Sequence, residues 1–362
     1  MSPASRTSRL THWLRYNFFR RWYDGLLTLL FAAGILALGV PLSRWAVTEA
    51  AITPDPEACR AAGGACWSVI VDMWAVFLVG LYPLEERWRI AAALLLVLAA
   101  ASLALVPALR RPKALAAIWP ATVIGVLVLV RGGAFGLPTV ETQKWGGLFL
   151  TVVLAVVSQS IAMPLGIGLA LGRHSARSSI VRQAATAYIE VVRSVPLVMV
   201  LLMATLVLPL FLPRAMPLDT LTAAAIGITL FSAAAIAEVV RGGLIGLPAE
   251  QSEAAAALGL RHWQGIRLVV LPQALRRMQP ALVGTLITFV KGSSLVVAIG
   301  LYDLLGGAVL AASNPKWLGH SIEALLFVGF VFWAICFALS QYSRHIEKRF
   351  ARNSPLRAAQ LQ

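Results

Sequence analysis

Apolar runs of roughly twenty residues, parted by short polar stretches, recur along this chain from one end to the other. Leu26 to Ala46, Arg89 to Leu109, Ala114 to Val130, and then 147–171, 184–211, 220–240, 278–300 and 321–341 each come close to the ~20 residues an α-helix needs to cross a bilayer. Val69 to Leu84 does not fit the series, because it is short, carries Asp72, and ends at Pro83 and Glu85-Glu86. If it crossed, the basic hairpin of Arg110, Arg111 and Lys113 would face outward, against the preference of Lys and Arg for the inner side. An interfacial or re-entrant segment is therefore expected there. The pattern predicts an all-α polytopic membrane protein of about eight transmembrane helices.

Charge supports that count. With both termini inside, 21 of the 31 Lys and Arg fall in inner segments and eight in outer ones. Residues 1–24 carry Arg6, Arg9, Arg15, Arg20 and Arg21 with no acid before Asp24, which reads as an inner tail. The apolar run after it is long and lacks a small-x-small cleavage site, so it reads as a retained anchor. Residues 49–66 are polar and expected outside. Cys59 and Cys66 lie there and could be a disulfide or two free thiols. Residues 131–145, RGGAFGLPTVETQKW, read as an outer loop separating the first three spans from the last five.

One polar loop stands apart from the rest. In 249–272, AEQSEAAAALGLRHWQGIRLVVLP, Pro248 suits a helix start and Ala249 to Leu258 is rich in strong helix formers. Gly259 can take the left-handed conformation that ends a helix at low cost. A second helical piece is expected from Arg261 to Val270, with a bend at Pro272. Ala254, Ala255 and Ala257 would form a small-residue face on which another backbone could seat, flanked by Glu250, Glu253, Arg261 and Arg267. An ordinary alanine-rich loop helix satisfies the same periodicity.

The spacing favours the first reading. Glu253-Ala254-Ala255, three residues, Gly259, nine residues, Val269, one residue, Leu271-Pro272 resembles the EAA loop of bacterial ABC importer permeases. EVVRGGL (238–244) and LPQALRRMQP (271–280) match its flanks, and YIEVVRSVPLV (188–198) and KGSSLVVAIGLYDLL (291–305) resemble signatures of the histidine/glutamine-type amino-acid permeases. The likeness covers roughly 145–345. The preceding 1–144, with GACW at 64–67 and YPLEERW at 82–88, resembles the larger membrane subunit of general L-amino-acid importers, and 346–362 is a basic tail.

The resemblance implies a five-helix type I importer core with three extra N-terminal spans. It also implies a separate ATPase in two copies that uses ATP and Mg, a sibling permease chain, and a periplasmic amino-acid-binding protein. Glu253, Ala254, Ala255, Gly259, Leu271 and Pro272 would carry the coupling to the ATPase.

Composition narrows the rest. The chain is 59% hydrophobic and 13% charged, with mean hydropathy +0.79, well outside the soluble globular range. Its net charge of +15 lies in clusters between apolar runs without interleaved aromatics, which argues against nucleic-acid binding. There is no Gly-Lys pair for a phosphate-binding loop, no metal-ligand spacing and no hydrolase motif, so no catalytic residue, bound cofactor or metal is expected. No internal repeat suggests an ion-coupled carrier.

Polar residues at membrane depth are candidates for the translocation path. Glu190 and Arg193, three apart on one helix face, could pair with each other or serve the path. Lys291, Ser293 and Ser294 could line it, although serines often bond back to their own helix and a lysine can snorkel. Glu238 and Arg241 are placed to orient the loop that follows them.

Overall fold

The computed structural model describes residues 12–352 apart from 14, 106–111, 176–177, 214 and 216. The basic residues Arg6, Arg9, Arg110 and Arg111, assigned above to the inner side, fall outside the described residues. The described chain is helical and divides into two units.

The smaller unit comprises residues up to 72 together with 315–324. Its long helix α1, Trp22–Ser43, has no buried residue and passes at Arg44–Thr48 into a π-helical turn. An apolar helix exposed on every side suits contact with lipid. After it the chain folds tightly on itself. Ala65 N donates to Trp45 O (2.8 Å), Trp67 Nε1 to Ala46 O (2.7 Å) and Ala51 N to Ala65 O (2.9 Å). The short helix α2, Pro56–Ala61, is capped by the Asp55 side chain. A disulfide joins Cys59 to Cys66, their Cα atoms 5.3 Å apart. Asp72 accepts from Lys316 Nζ (2.9 Å) and Trp317 Nε1 (2.8 Å). The Lys316 hydrogen bond outweighs burial and holds that carboxyl below its ordinary range. A charge that marked the 69–84 segment as anomalous in sequence thus has partners over 240 residues away.

The larger unit holds 73–314 and 325–362. Helix α3, Ser68–Val79, leaves helical geometry at Met73, and its 12 residues reach only about 18 Å, short of a ~30 Å hydrocarbon core. Helices α4, Trp88–Leu105, and α5, Pro112–Arg131, follow. The remaining helices are α6 (Gly147–Ser175), α7 (Ser179–Ser194), α8 (Leu197–Leu202), α9 (Thr220–Ile245), α10 (Glu250–Ala257), α11 (His262–Gly265), α12 (Leu271–Gly292), α13 (Leu304–Ala312) and α14 (Ser321–Arg352).

Among the described residues five helical stretches are long and apolar enough to cross a membrane: Trp22–Thr48, Gly147–His174, Thr220–Ile245, His262–Ile299 and Ser321–His345. Two expectations change here. The run 184–211 is not one straight span, because α7 and the helical stretch Leu197–Phe211 meet at 106°. Val195, ahead of Pro196, is extended (φ −101°, ψ 135°), as a residue before proline prefers. The α7 side of the bend is amphipathic, burying Ala185 and Ile189 and exposing Arg182 and Glu190. The second change concerns Pro272, expected at a bend, which lies within one continuous helical stretch, His262–Ile299. Ile266–Val270 widens into a π-helical turn just before it, which makes room for the proline ring, and the helix runs on into α12.

Small residues let the helices approach closely, as membrane interfaces require. A side chain at Gly166 on α6 would collide with Ile236 and with the carbonyl of Ala233 on α9. Near the start of α6, three backbones cross at Gly80, Gly146-Gly147 and Tyr302-Asp303. Gly147 N donates to Tyr302 O (2.9 Å), and a Cβ on Gly146 would lie 2.7 Å from that carbonyl.

Asp303 anchors this crossing. Its carboxylate caps α13 through Leu305 N and Gly306 N (both 3.1 Å) and accepts from Thr151 Oγ1 of α6 (3.4 Å). Burial pushes its pKa up to about 6, against the pull of the hydrogen bonds from Gly306, Leu305 and Thr151. Between the ordinary value of 3.8 and about 6 the folded chain keeps a proton that the unfolded chain has lost, so stability falls as pH rises through that window and is level above it. Asp303→Asn keeps the capping oxygen without the charge. It is expected to stabilise the chain by about 2–3 kcal/mol at pH 8 and by little near pH 4. Thermal unfolding in detergent at the two pH values checks this.

Candidate functional site

The loop after α9 folds into a helical hairpin. Helix α10 starts beyond Pro248, as its sequence suggests, and stops at Leu258 because Gly259 turns left-handed (φ +77°). Gly259 N then reaches Ala256 O (2.9 Å) and Leu260 N reaches Ala255 O (3.2 Å), satisfying carbonyls the helix end would leave open. No atom lies within 4 Å of where a Gly259 Cβ would sit, so the glycine serves backbone conformation rather than close packing. Arg261 N donates to Gln264 Oε1 (2.9 Å), starting the return helix.

The alanines do not form one face as expected. Ala255 is buried inside the hairpin, its Cβ 3.4 Å from the position a Cβ on Gly265 would take, while Ala254, Ala256 and Ala257 are exposed. Glu253 is exposed in the first turn of α10. What the hairpin presents besides alanine is apolar bulk that spacing did not reveal: Leu258 is 81% exposed and Trp263 52%, with Arg261 and Arg267 beside them. Leu271 and Pro272 are half-buried and begin α12.

The hairpin is fastened to the long helices. Gln273 Nε2 donates to Gln251 Oε1 (3.0 Å), and Arg277 Nη1 to the Gly246 carbonyl (2.6 Å) at the end of α9. Gly243 lets α9 lie directly on α12, since a side chain there would strike Met278 and crowd the Ala274 carbonyl (3.2 Å). Movement of the hairpin would therefore be passed to both helices.

One to two turns before its end, α9 carries an ion cluster. Glu238 is paired with Arg241 of its own helix (Nε to Oε2, 3.0 Å), with Arg173 of α6 (3.4 Å) and with Arg193 of α7 (3.8 Å). Arg173 also holds Glu190 (2.9 Å). Glu190 and Arg193 thus do not pair with each other; each reaches a different helix. Arg173, which joins both carboxylates, is not among the residues that the sequence singled out.

Beside the cluster a cavity of about 540 Å³ opens between α7, α9 and α12. Its polar lining is Arg193, Glu238, Thr285 and Thr288, and its apolar walls include Phe231 and Phe289. Of the translocation-path candidates Glu190, Arg193, Lys291, Ser293 and Ser294, only Arg193 lines it, together with Glu238, which was expected to orient the loop. Ser293 is buried and donates to Val290 O (2.8 Å), Ser294 donates to Lys291 O (2.7 Å), and Lys291 is exposed at the end of α12.

Comparison with known proteins adds identity to this geometry. The family described as "binding-protein-dependent transport system inner membrane component" matches residues 162–352. Over 351 residues, 96% of this chain and 95% of the relative, the chain is 42% identical to the inner membrane amino-acid ABC transporter permease protein YhdY of Escherichia coli strain K12. It is 32% identical over 422 aligned positions, 97% of this chain and 96% of the relative, to the glutamate/glutamine/aspartate/asparagine transport system permease protein BztC of Rhodobacter capsulatus. A crystal structure of an amino acid ABC transporter with histidines superposes with a TM-score of 0.50 and 29% identity, covering 56% of this chain and 92% of that one. These two relatives span the N-terminal extension as well as the core. The chain belongs to the family of binding-protein-dependent transport system inner membrane components.

Proposed function

We propose that this chain is the permease subunit of an ATP-driven importer of L-amino acids in a bacterial inner membrane, with the 250–270 hairpin as its contact to the ATPase. The observation that carries this is the hairpin itself: exposed Leu258 and Trp263 on a rigid turn, tied by Gln273 and Arg277 to α9 and α12. Two ATPase subunits closing on ATP would press on two such hairpins and rock the helices they hold, giving alternating access. One chain lines half a pathway, so a second permease, by likeness a sibling chain, completes it. A periplasmic binding protein delivers the amino acid from the outer side. The names of the relatives support amino acids as the cargo. An eight-span arrangement with both termini inside would put the hairpin where ATP is, and residues 49–66 on the oxidising side.

The cavity suits such a cargo. A zwitterion could set its carboxylate near Arg193 and its ammonium near Glu238, with Thr285 and Thr288 as further partners. Labelled amino-acid uptake into vesicles holding the purified complex tests the reading, with ATP and an ion gradient supplied separately and with or without binding protein. Uptake that needs both ATP and binding protein is the expected result. Uptake on the gradient alone would replace the importer by an ion-coupled carrier.

A further inference from the structure

The segment between α5 and α6 is built more rigidly than a connection requires. Gly132, Gly133 and Gly136 all have positive φ, and Phe135 between them is the one described non-glycine residue that does (φ +54°). A left-handed Phe is costly, on the order of 1–3 kcal/mol, and persists only where the surroundings enforce it. Here they do. Gly133 N donates to Leu137 O (2.9 Å), Leu137 N to Ala134 O (3.1 Å) and Val140 N to Arg131 O (2.8 Å). Beneath the turn the fully buried Arg89 donates from Nη1 to Pro138 O (2.8 Å) and is paired through Nε with Glu86 (2.7 Å), while Tyr82 Oη donates to Val130 O (2.7 Å). Strained backbone and a buried guanidinium together hold up a ring that is 94% exposed.

The loop sits at the end of α6 away from the coupling hairpin. Helix α6 has 29 residues, about 43 Å, with Gly147 at the loop end and Arg173 in the Glu238 cluster at the other. With the hairpin inside, the Phe135 ring faces outward. Resting in the bilayer surface does not account for it. Aromatics that settle there are chiefly Trp and Tyr, whose polar group stays wet, and an interfacial anchor needs no fixed left-handed backbone. A rigid, protruding ring on a loop that exposes two cations, Arg131 and Lys144, and one acid, Glu141, fits instead an apolar pocket with a mainly acidic rim on a folded protein.

We propose that the Phe135 loop is a docking contact for the soluble amino-acid-binding protein, its ring entering an apolar pocket and Arg131 and Lys144 meeting acidic groups around that pocket. This rests on the importer reading above. It assigns the docking role to the N-terminal extension, outside the 162–352 stretch that defines the family.

The test uses the whole complex in lipid nanodiscs. The probe is the binding protein recovered from osmotic-shock fluid by its stimulation of the unaltered complex's ATP hydrolysis, in a mixture of the twenty L-amino acids. Phe135→Asn removes the ring and tolerates the left-handed backbone. It is expected to raise the binding-protein concentration for half-maximal stimulation at least tenfold, leaving unstimulated hydrolysis and the stimulated maximum unchanged; an unchanged half-maximal concentration overturns the proposal. Should Phe135→Asn fail to assemble, Phe135→Cys labelled with bimane in a Cys336→Ser background decides. Shielding of the label from iodide by the binding protein supports docking, and quenching by brominated lipid with no response to the binding protein overturns it. If the unaltered complex shows no stimulated hydrolysis at all, the importer reading falls, and this proposal with it.

Discussion

Ala255→Leu is expected to abolish ATP-driven uptake while the chain still inserts in the membrane at normal level. Ala255 is the one buried residue of α10, and its Cβ faces Gly265 across the hairpin, so three more carbons there would press the two helical pieces apart. Overpacking of that kind costs about 1–3 kcal/mol, too little to unfold a polytopic chain whose helices are cored elsewhere. The hairpin can relieve it by opening, which swings Leu258 away from Trp263. A partner subunit that grips both would lose its fit, and affinity set by a few well-packed aromatic and aliphatic anchors falls steeply when they shift. Copurification of the ATPase should drop at least tenfold and uptake with it. Gly259→Asn should be much milder, because nothing crowds a side chain there and Asn accepts the left-handed turn. Full copurification and uptake by Ala255→Leu would show that the hairpin is not the coupling element.

That contrast shows how far the sequence could be read. The Gly259 turn was legible because only a backbone with positive φ ends a helix that way, and the residue type announces it. The burial of Ala255 was not, since four alanines in a row look alike until the return helix picks one face. Pro272 was expected at a bend, and the π-turn that accommodates it in a continuing helix has no residue signature. The sharp bend within 184–211 was not legible because its average apolarity hid an amphipathic first part and a proline at the joint. The pairs that tie distant segments together, Asp72 with Lys316 and Arg89 with the Pro138 carbonyl, obey no spacing rule at all. Periodicity reports what a helix shows its surroundings, whereas contacts of this kind depend on which helices become neighbours.

Glu238→Gln should cost more than the loss of any single ion pair suggests. The carboxylate lies among three guanidiniums from three helices, Arg173, Arg193 and Arg241, and Glu190 is the only other acid in the cluster. Gln can still accept a hydrogen bond, but three positive groups then crowd a partly buried site with one negative partner. Charge-assisted hydrogen bonds are worth roughly 1.5–3 kcal/mol each before screening, and the side chain is 23% exposed, so a net loss of about 2–3 kcal/mol is expected. The functional effect should be larger, with uptake down at least tenfold. The cluster joins α6, α7 and α9 beside the cavity and just ahead of the hairpin, so the helices would no longer move as one body. Glu238→Gln combined with Arg241→Gln separates the causes. Recovery of thermal stability and part of the uptake in the double variant would identify unbalanced charge as the fault. A Glu238→Gln chain as stable and active as its parent would remove the cluster from the mechanism, leaving the hairpin's hold on α9 and α12 to transmit the movement alone.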